Sequence, residues 1–184
     1  SAQAFSCHET SSRVARKALS VDFAGIIEPL SSDHDRRAFT CGVGALDEYL
    51  HRFARQHAAA NISRTYVAVD GSAISGYYSL AMAGIRRDNL PPKHADRFPN
   101  FPLPVARLAR LAVARQRQRQ GLGELLLAHA LQRCLHLSDE IGMVGIIVDA
   151  KDECARGWYE RYEFERLPDS PLALWIPTAA IRKL

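Results

Sequence analysis

Apolar residues enter this chain with a helical period. In "ALDEYLHRFARQHAA", Leu46, Tyr49, Leu50, Phe53 and Ala54 fall at i, i+3, i+4, i+7 and i+8, the stripe of an amphipathic helix. The period then changes to two. "RTYVAVD" predicts a strand, Asp70-Gly71 a hairpin turn, and "ISGYYSLAMAGI" the partner strand. "NLPPKHADRFPNFPLP" holds five prolines in sixteen residues and predicts an extended loop with no helix. "VARLARLAV" predicts a strand ending near Ala114, and a helix follows from Gly121 or Leu122 with Leu122, Leu125, Leu126, Ala130 and Cys134 on its stripe. "MVGIIVDA" is short and continuously apolar, as a central strand is. "DECARGWYERY" places Cys154, Ala155, Trp158, Tyr159 and Tyr162 on one helical face, and "LALWIP" closes as a strand before Pro177. The order α, β, β, loop, β, α, β, α, β, with no internal repeat, predicts one mixed α/β domain.

A length of 184 residues suits a single domain, which we place at residues 23–184. Residues 1–22 contain Ser, Arg and small side chains without an apolar signal-peptide core, and are expected to be a poorly ordered leader. Hydrophobic and charged fractions of 47% and 24% fit a globular protein, and no run approaches a membrane span. Cys7, Cys41, Cys134 and Cys154 form no CxxC pair, so reduced thiols are expected in place of a zinc site or disulfide framework. His34, His51, His57, His94, His129 and His136 show no metal-ligand spacing, and no metal is expected. A net charge of +4 permits a polyanionic partner without requiring one.

The segment "RLARLAVARQRQRQGLGELLL" changes that picture. It carries a run of Arg and Gln into two glycines with no acid between Arg97 and Gly123. A helix N-terminus offers unpaired N–H groups and a positive dipole end. Gly121 and Gly123 let an anion approach the backbone, and Gln118 and Arg119 add side-chain donors, so the turn suits a pyrophosphate. It is neither a P-loop, lacking Gly-Lys-Ser/Thr, nor the dinucleotide fingerprint, whose first glycine would fall at Gln118. On spacing alone, a plain tight turn with solvated arginines stays open.

Gln118-x-x-Gly121-x-Gly123 after "RLAV" resembles the acyl-CoA pyrophosphate loop of the GNAT N-acetyltransferase family. "MVGIIVDA" and "ARGWYERYEF" resemble that family's next strand and helix, with Trp158-Tyr159-Glu160 in the place of its Phe-Tyr-Glu. Phe39 to Gly42, "LDEYL", "RTYVAV", "GYYSLA" and "RLARLAV" are similar to one branch, the acetyltransferase toxins of bacterial toxin–antitoxin pairs. The resemblance covers roughly Ile26 to Leu184, with Arg119 and Glu163 where the family usually has glycine. It implies a single mixed-sheet GNAT domain using acetyl-CoA, bound by Leu111, Ala112, Val113, Gln118, Arg119, Gln120, Gly121, Leu122, Gly123 and Trp158. It also implies a cytoplasmic homodimer acting on aminoacyl-tRNA to block translation. A ribbon-helix-helix antitoxin would neutralise it, and operator DNA would be met only through the antitoxin complex.

The resemblance assigns Tyr159 as the general acid for the departing thiolate, although its spacing alone reads as core packing. A backbone N–H near Leu111 to Val113 would hold the oxyanion. The family's glutamate base on the strand before the loop is missing. A lysine amine near pKa 10.4 is neutral in about one molecule per thousand at pH 7.4, whereas an α-amine is about a quarter neutral. The missing base therefore favours an α-amine. Arginines exceed what one pyrophosphate needs. Arg107 and Arg110 fall on opposite faces if strand alternation holds, and Arg64, Arg86, Arg87, Lys93, Arg107 and Arg110 are candidates for the tRNA backbone. Arg97, Arg115, Arg117 and Arg119 belong to the same excess. Two other readings remain: an acetyltransferase for a small amine, polyamine or protein amine, and a non-catalytic CoA- or nucleic-acid-binding module.

Overall fold

The computed structural model describes residues 26–184, so the leader placed at 1–22 and Cys7 lie outside the described residues. Seven strands form one mixed sheet: β1 (Ile27–Pro29), β2 (Arg64–Asp70), β3 (Ala73–Ile85), β4 (Leu103–Val113), β5 (Gly145–Asp149), β6 (Glu165–Leu167) and β7 (Ser170–Pro177). Their order is β1-β2-β3-β4-β5-β7-β6. Every pairing is antiparallel except β4 with β5. The predicted hairpin forms, with Asp70 opposite Ala73. "MVGIIVDA" supplies β5, flanked on both sides and buried along Gly145–Val148, as its continuous apolar run requires.

The first helical stripe forms, but not as one regular helix. α1 (Gly44–Glu48) and α2 (Ala54–Ala59) are joined by a π-helical turn over Tyr49–Phe53. Phe53, expected inside, is exposed, while Tyr49, Leu50 and Ala54 are buried. The proline-rich segment is a correction. It contains a short helix, α3 (Pro92–Ala95), because Pro92 occupies the first turn, where a missing N–H costs nothing. β4 also starts earlier than expected, at Leu103. α4 (Leu122–Glu140) begins where expected. α5 (Glu153–Glu160) ends before Tyr162, and Cys154 in its first turn is exposed, so the predicted five-residue face is cut at both ends. β1, β6 and a terminal α6 (Thr178–Ile181) are too short to have registered as periodic patterns.

The sheet has two covered faces. Tyr49, Leu50 and Ala54 pack with Val67, Tyr77 and Ala112 on one. On the other, Leu126, Leu127, Ala130 and Leu131 of α4 and Tyr159 of α5 pack with Tyr78, Leu108, Ile146 and Val148. Gly76 on β3 brings α4 close, since a Cβ there would sit 2.8 Å from Leu126 Cδ1. Beneath α4 the buried Tyr78 phenol, whose pKa burial pushes far up, lies 2.7 Å from His129 Nδ1. The pair is a hydrogen bond between two buried groups, with donor and acceptor set by the imidazole tautomer.

Burial, assisted by the Arg133 charge, pulls His129 down from its ordinary 6.5 to about 4. A depressed folded-state pKa gives stability that is complete above the unfolded value and lost as pH falls toward the folded one. Urea unfolding should show stability dropping between pH 6.5 and 4, by up to about 1.4 kcal/mol per pH unit. His129→Gln should flatten that dependence; an equally steep fall in the variant would place the acid sensitivity elsewhere.

Candidate active site

The parallel pairing of β4 with β5 runs only from Val105↔Gly145 to Leu108↔Val148. β5 ends at Asp149, so Ala109–Val113 have no strand on that side. The gap opens into a cleft of about 530 Å³ lined by Leu108–Val113, the turn before α4, the start of α5 and Tyr159. The Ala114 amide donates to Ser75 O on β3 at 2.8 Å. Antiparallel alternation then turns the Val113 and Leu111 amides away from β3, into the cleft. Ala112 lines the cleft too, but it is buried against Tyr77 and the first helix.

The turn after β4 is shaped by its side chains. Gln118 Nε2 donates to Cys41 O at 2.9 Å and to Val113 O at 3.0 Å, and Gln120 Nε2 donates to Gln116 O at 2.9 Å. Gln118 was expected to present its amide to a phosphate. It lines the cleft but spends both amide hydrogens on carbonyls, stapling the turn to the segment at Cys41. Arg119 (φ 61°) and Gly121 (φ 84°) are both left-handed. Gly121 precedes Leu122, so the free first-turn amides of a 19-residue helix open onto the cleft. Gly123 lies under Trp158, whose Cζ2 would be 3.6 Å from a Cβ at that position. Such a cradle of amides suits a pyrophosphate.

A second loop is locked to this one. Arg115 N donates to Thr40 O, and the Arg115 guanidinium covers Gly42, where a Cβ would meet it at 3.0 Å. Asp47 accepts from Cys41 N at 2.8 Å and Thr40 Oγ1 at 2.9 Å. Burial of the Asp47 carboxyl opposes ionisation, but these hydrogen bonds outweigh it and hold the pKa below the ordinary value. Burial and the Asp47 bond push the Cys41 thiol up to about 11, so it is no nucleophile.

Tyr159 lies in the cleft wall with Trp158 and Phe164 against its ring, at centroid distances of 4.9 and 5.5 Å. Burial raises its pKa well above the ordinary phenol value, so the hydroxyl keeps its proton throughout the working range. Burial and a hydrogen bond to Glu124 push Tyr162 up to about 12, which ties the turn after α5 to the first turn of α4. Glu163 follows at φ 66°. Both positions where this chain lacks the family's glycine are thus left-handed.

The basic candidates are not gathered in the cleft. Arg64 donates to Ala58 O and Asn61 Oδ1, Arg86 and Arg87 pair with Asp88, and Lys93 pairs with Glu165 at 3.0 Å. Arg107 pairs with Asp149 across β4 and β5. Of the six, Arg110 lines the cleft. The alternation expected for Arg107 and Arg110 fails. The register slips between Ser79↔Arg110 and Leu80↔Leu108, leaving Ala109 as a bulge. Arg107 then faces Ala81 and Arg110 faces Ser79, two residues apart on β3, so both arginines project from the same face. Lys151, Cys154 and Arg161 also line the cleft and were not singled out from the sequence. Arg161 stands three residues after Trp158, a spacing that marks the shared side of the chain. Among the described residues no group of three or more His, Cys, Asp or Glu could hold a metal ion. Cys41, Cys134 and Cys154 are free thiols.

A strand pair opened by early loss of pairing, an amide cradle before a long helix and a buried phenol are the working parts of an acetyltransferase. The family profile for the Acetyltransferase (GNAT) domain matches residues 61–166, and the chain belongs to that family. It is 35% identical over 147 residues to a tRNA-acetylating toxin of Mycobacterium tuberculosis, covering 80% of this chain and 88% of that protein. It is 31% identical over 170 residues to a probable toxin, TacT, of Sinorhizobium fredii, covering 86% and 94%. Among solved structures, AtaT complexed with acetyl-methionyl-tRNAfMet superposes with a TM-score of 0.80 at 31% identity, covering 85% of this chain and 96% of that one. Related structures hold acetyl-CoA, or the antitoxin AtaR, or DNA bound to the toxin–antitoxin complex.

A residue held left-handed costs roughly 1–2 kcal/mol per position unless it is glycine. Glu163→Gly should therefore raise the Tm by about 2–8 °C. A lowered Tm would mean that Glu163 side-chain contacts hold the turn. Gln118→Ala should weaken acetyl-CoA binding about tenfold by calorimetry, through loss of two hydrogen bonds that shape the cradle. Unchanged affinity would show that the turn holds its shape without the staple.

Proposed function

We propose that this chain is an acetyl-CoA-dependent toxin that acetylates the α-amino group of aminoacyl-tRNA and so blocks translation. The observation that carries this reading is the cleft itself, which combines outward amides, a protonated buried phenol and no carboxylate on β4. The amides of Leu122 and Gly123, with Arg119 and Gln120 beside them, receive the CoA pyrophosphate. Leu111 and Val113 turn their N–H groups to the thioester carbonyl and hold its oxygen as charge develops there. The amine nitrogen attacks the carbonyl carbon as the C–S bond breaks. Tyr159 gives its proton to the leaving thiolate, and the proton lost by the amine passes to solvent. β4 offers no carboxylate to remove a lysine proton, and the acids that line the cleft are engaged, Asp149 with Arg107, Asp152 with the Ala155 amide and Glu124 with Tyr162, so the site favours an amine that is already substantially neutral.

The relatives' partners support the wider reading. A ribbon-helix-helix antitoxin neutralises the enzyme, operator DNA is met through that complex, and the enzyme works as a homodimer in the cytoplasm. No helix among the described residues is long and apolar enough to cross a membrane.

Labelled acetyl-CoA should transfer its label to a charged tRNA pool and not to deacylated tRNA. Tyr159→Phe should lower that rate about a hundredfold. Label on polyamines or protein, and none on charged tRNA, would move the assignment to a different amine substrate.

A further inference from the structure

Arg110 differs from the other basic candidates. It lines the cleft on the face shared with the first helix, and its guanidinium carbon lies 3.7 Å from the centre of the Tyr49 ring. No carboxylate pairs with it among the described residues, whereas neighbouring Arg107 is neutralised by Asp149. Tyr49 is itself unusually fixed. It opens the π-helical turn and is 2% exposed. Its hydroxyl lies 3.0 Å from Ser63 Oγ, 3.0 Å from Ser79 Oγ and 3.3 Å from Thr65 Oγ1. Its ring stacks on Tyr77 with an interplanar angle of 23°. π-Helical turns concentrate at functional sites, and this one puts an anchored ring beneath a cleft arginine.

A guanidinium held over an aromatic ring is partly shielded from water while its N–H donors remain able to reach a ligand. That fork matches two oxygens of a phosphate or carboxylate, and fixing it in advance removes the ordering cost of a long flexible side chain. The cofactor phosphates have their own cradle before α4, which packs on the opposite face of the sheet. Arg110 lies on the other face, over Tyr49, and is left for a different ligand.

We propose that Tyr49 positions Arg110 as a fixed receptor for an anionic oxygen of the acceptor substrate, namely a phosphodiester of the single-stranded 3′ end of charged tRNA. This rests on the charged-tRNA reading above. Tyr49 acts through Arg110, and the bulge at Ala109 turns Arg110 toward it.

The test is acetylation of charged tRNA from 50 to 200 mM salt. Each phosphate contact to a single strand contributes about 0.7 to the slope of log affinity against log salt. Arg110→Gln should lower kcat/KM for charged tRNA about tenfold, leave the KM for acetyl-CoA unchanged and make the salt slope shallower by about 0.7. Tyr49→Leu should reproduce the loss and the shallower slope, and Tyr49→Phe, which keeps the ring, should restore both. Arg52→Gln, outside the cleft, should match the wild type. An unchanged slope in Arg110→Gln, or a defect that appears in the acetyl-CoA KM, overturns the proposal while leaving the charged-tRNA reading intact. A wild-type enzyme that acetylates no charged tRNA overturns both.

Discussion

The site depends on a parallel strand pairing that stops early. β4 and β5 are hydrogen-bonded only from Val105 to Leu108, and β4 then continues to Val113 alone on that side. Backbone N–H groups left unpaired inside a protein are costly, so an enclosed gap of this kind persists only where solvent or a ligand takes their place. Everything else follows from keeping it open. Tyr159 lines it from α5, Trp158 packs over Gly123 at the start of α4, and the Arg107–Asp149 pair spans the two strands beside the point where they part.

Much of this was legible in the residues. The hairpin, the central β5 and the helix after Gly121 each follow from period and turn chemistry, because their patterns are long or sharply bounded. The glycine-containing turn was legible as the start of a helix, and the two departures from the family's glycines fell at left-handed positions. What escaped was tertiary. A bulge inserts one residue without any mark in the sequence, so the faces of Arg107 and Arg110 could not be read from parity. Gln118 reads as a free donor until Cys41 O and Val113 O are brought beside it from elsewhere in the chain. The π-helical turn and the helix at Pro92 likewise answer to what packs against them.

The arginine run has no single purpose. Arg115 covers Gly42, Arg119 adopts the left-handed conformation of the cradle, Arg107 neutralises Asp149 and Arg110 rests on Tyr49. A net charge of +4 is thus an average over residues with separate structural partners, and it measures the acceptor surface poorly.

The Gln118 staple has a consequence for the integrity of the cleft. One amide group holds the cradle's strand at Val113 and, through Cys41, the segment leading into the first helix and Tyr49. Two walls of the cleft far apart in sequence are thus held by a single side chain, and losing Gln118 would release both at once.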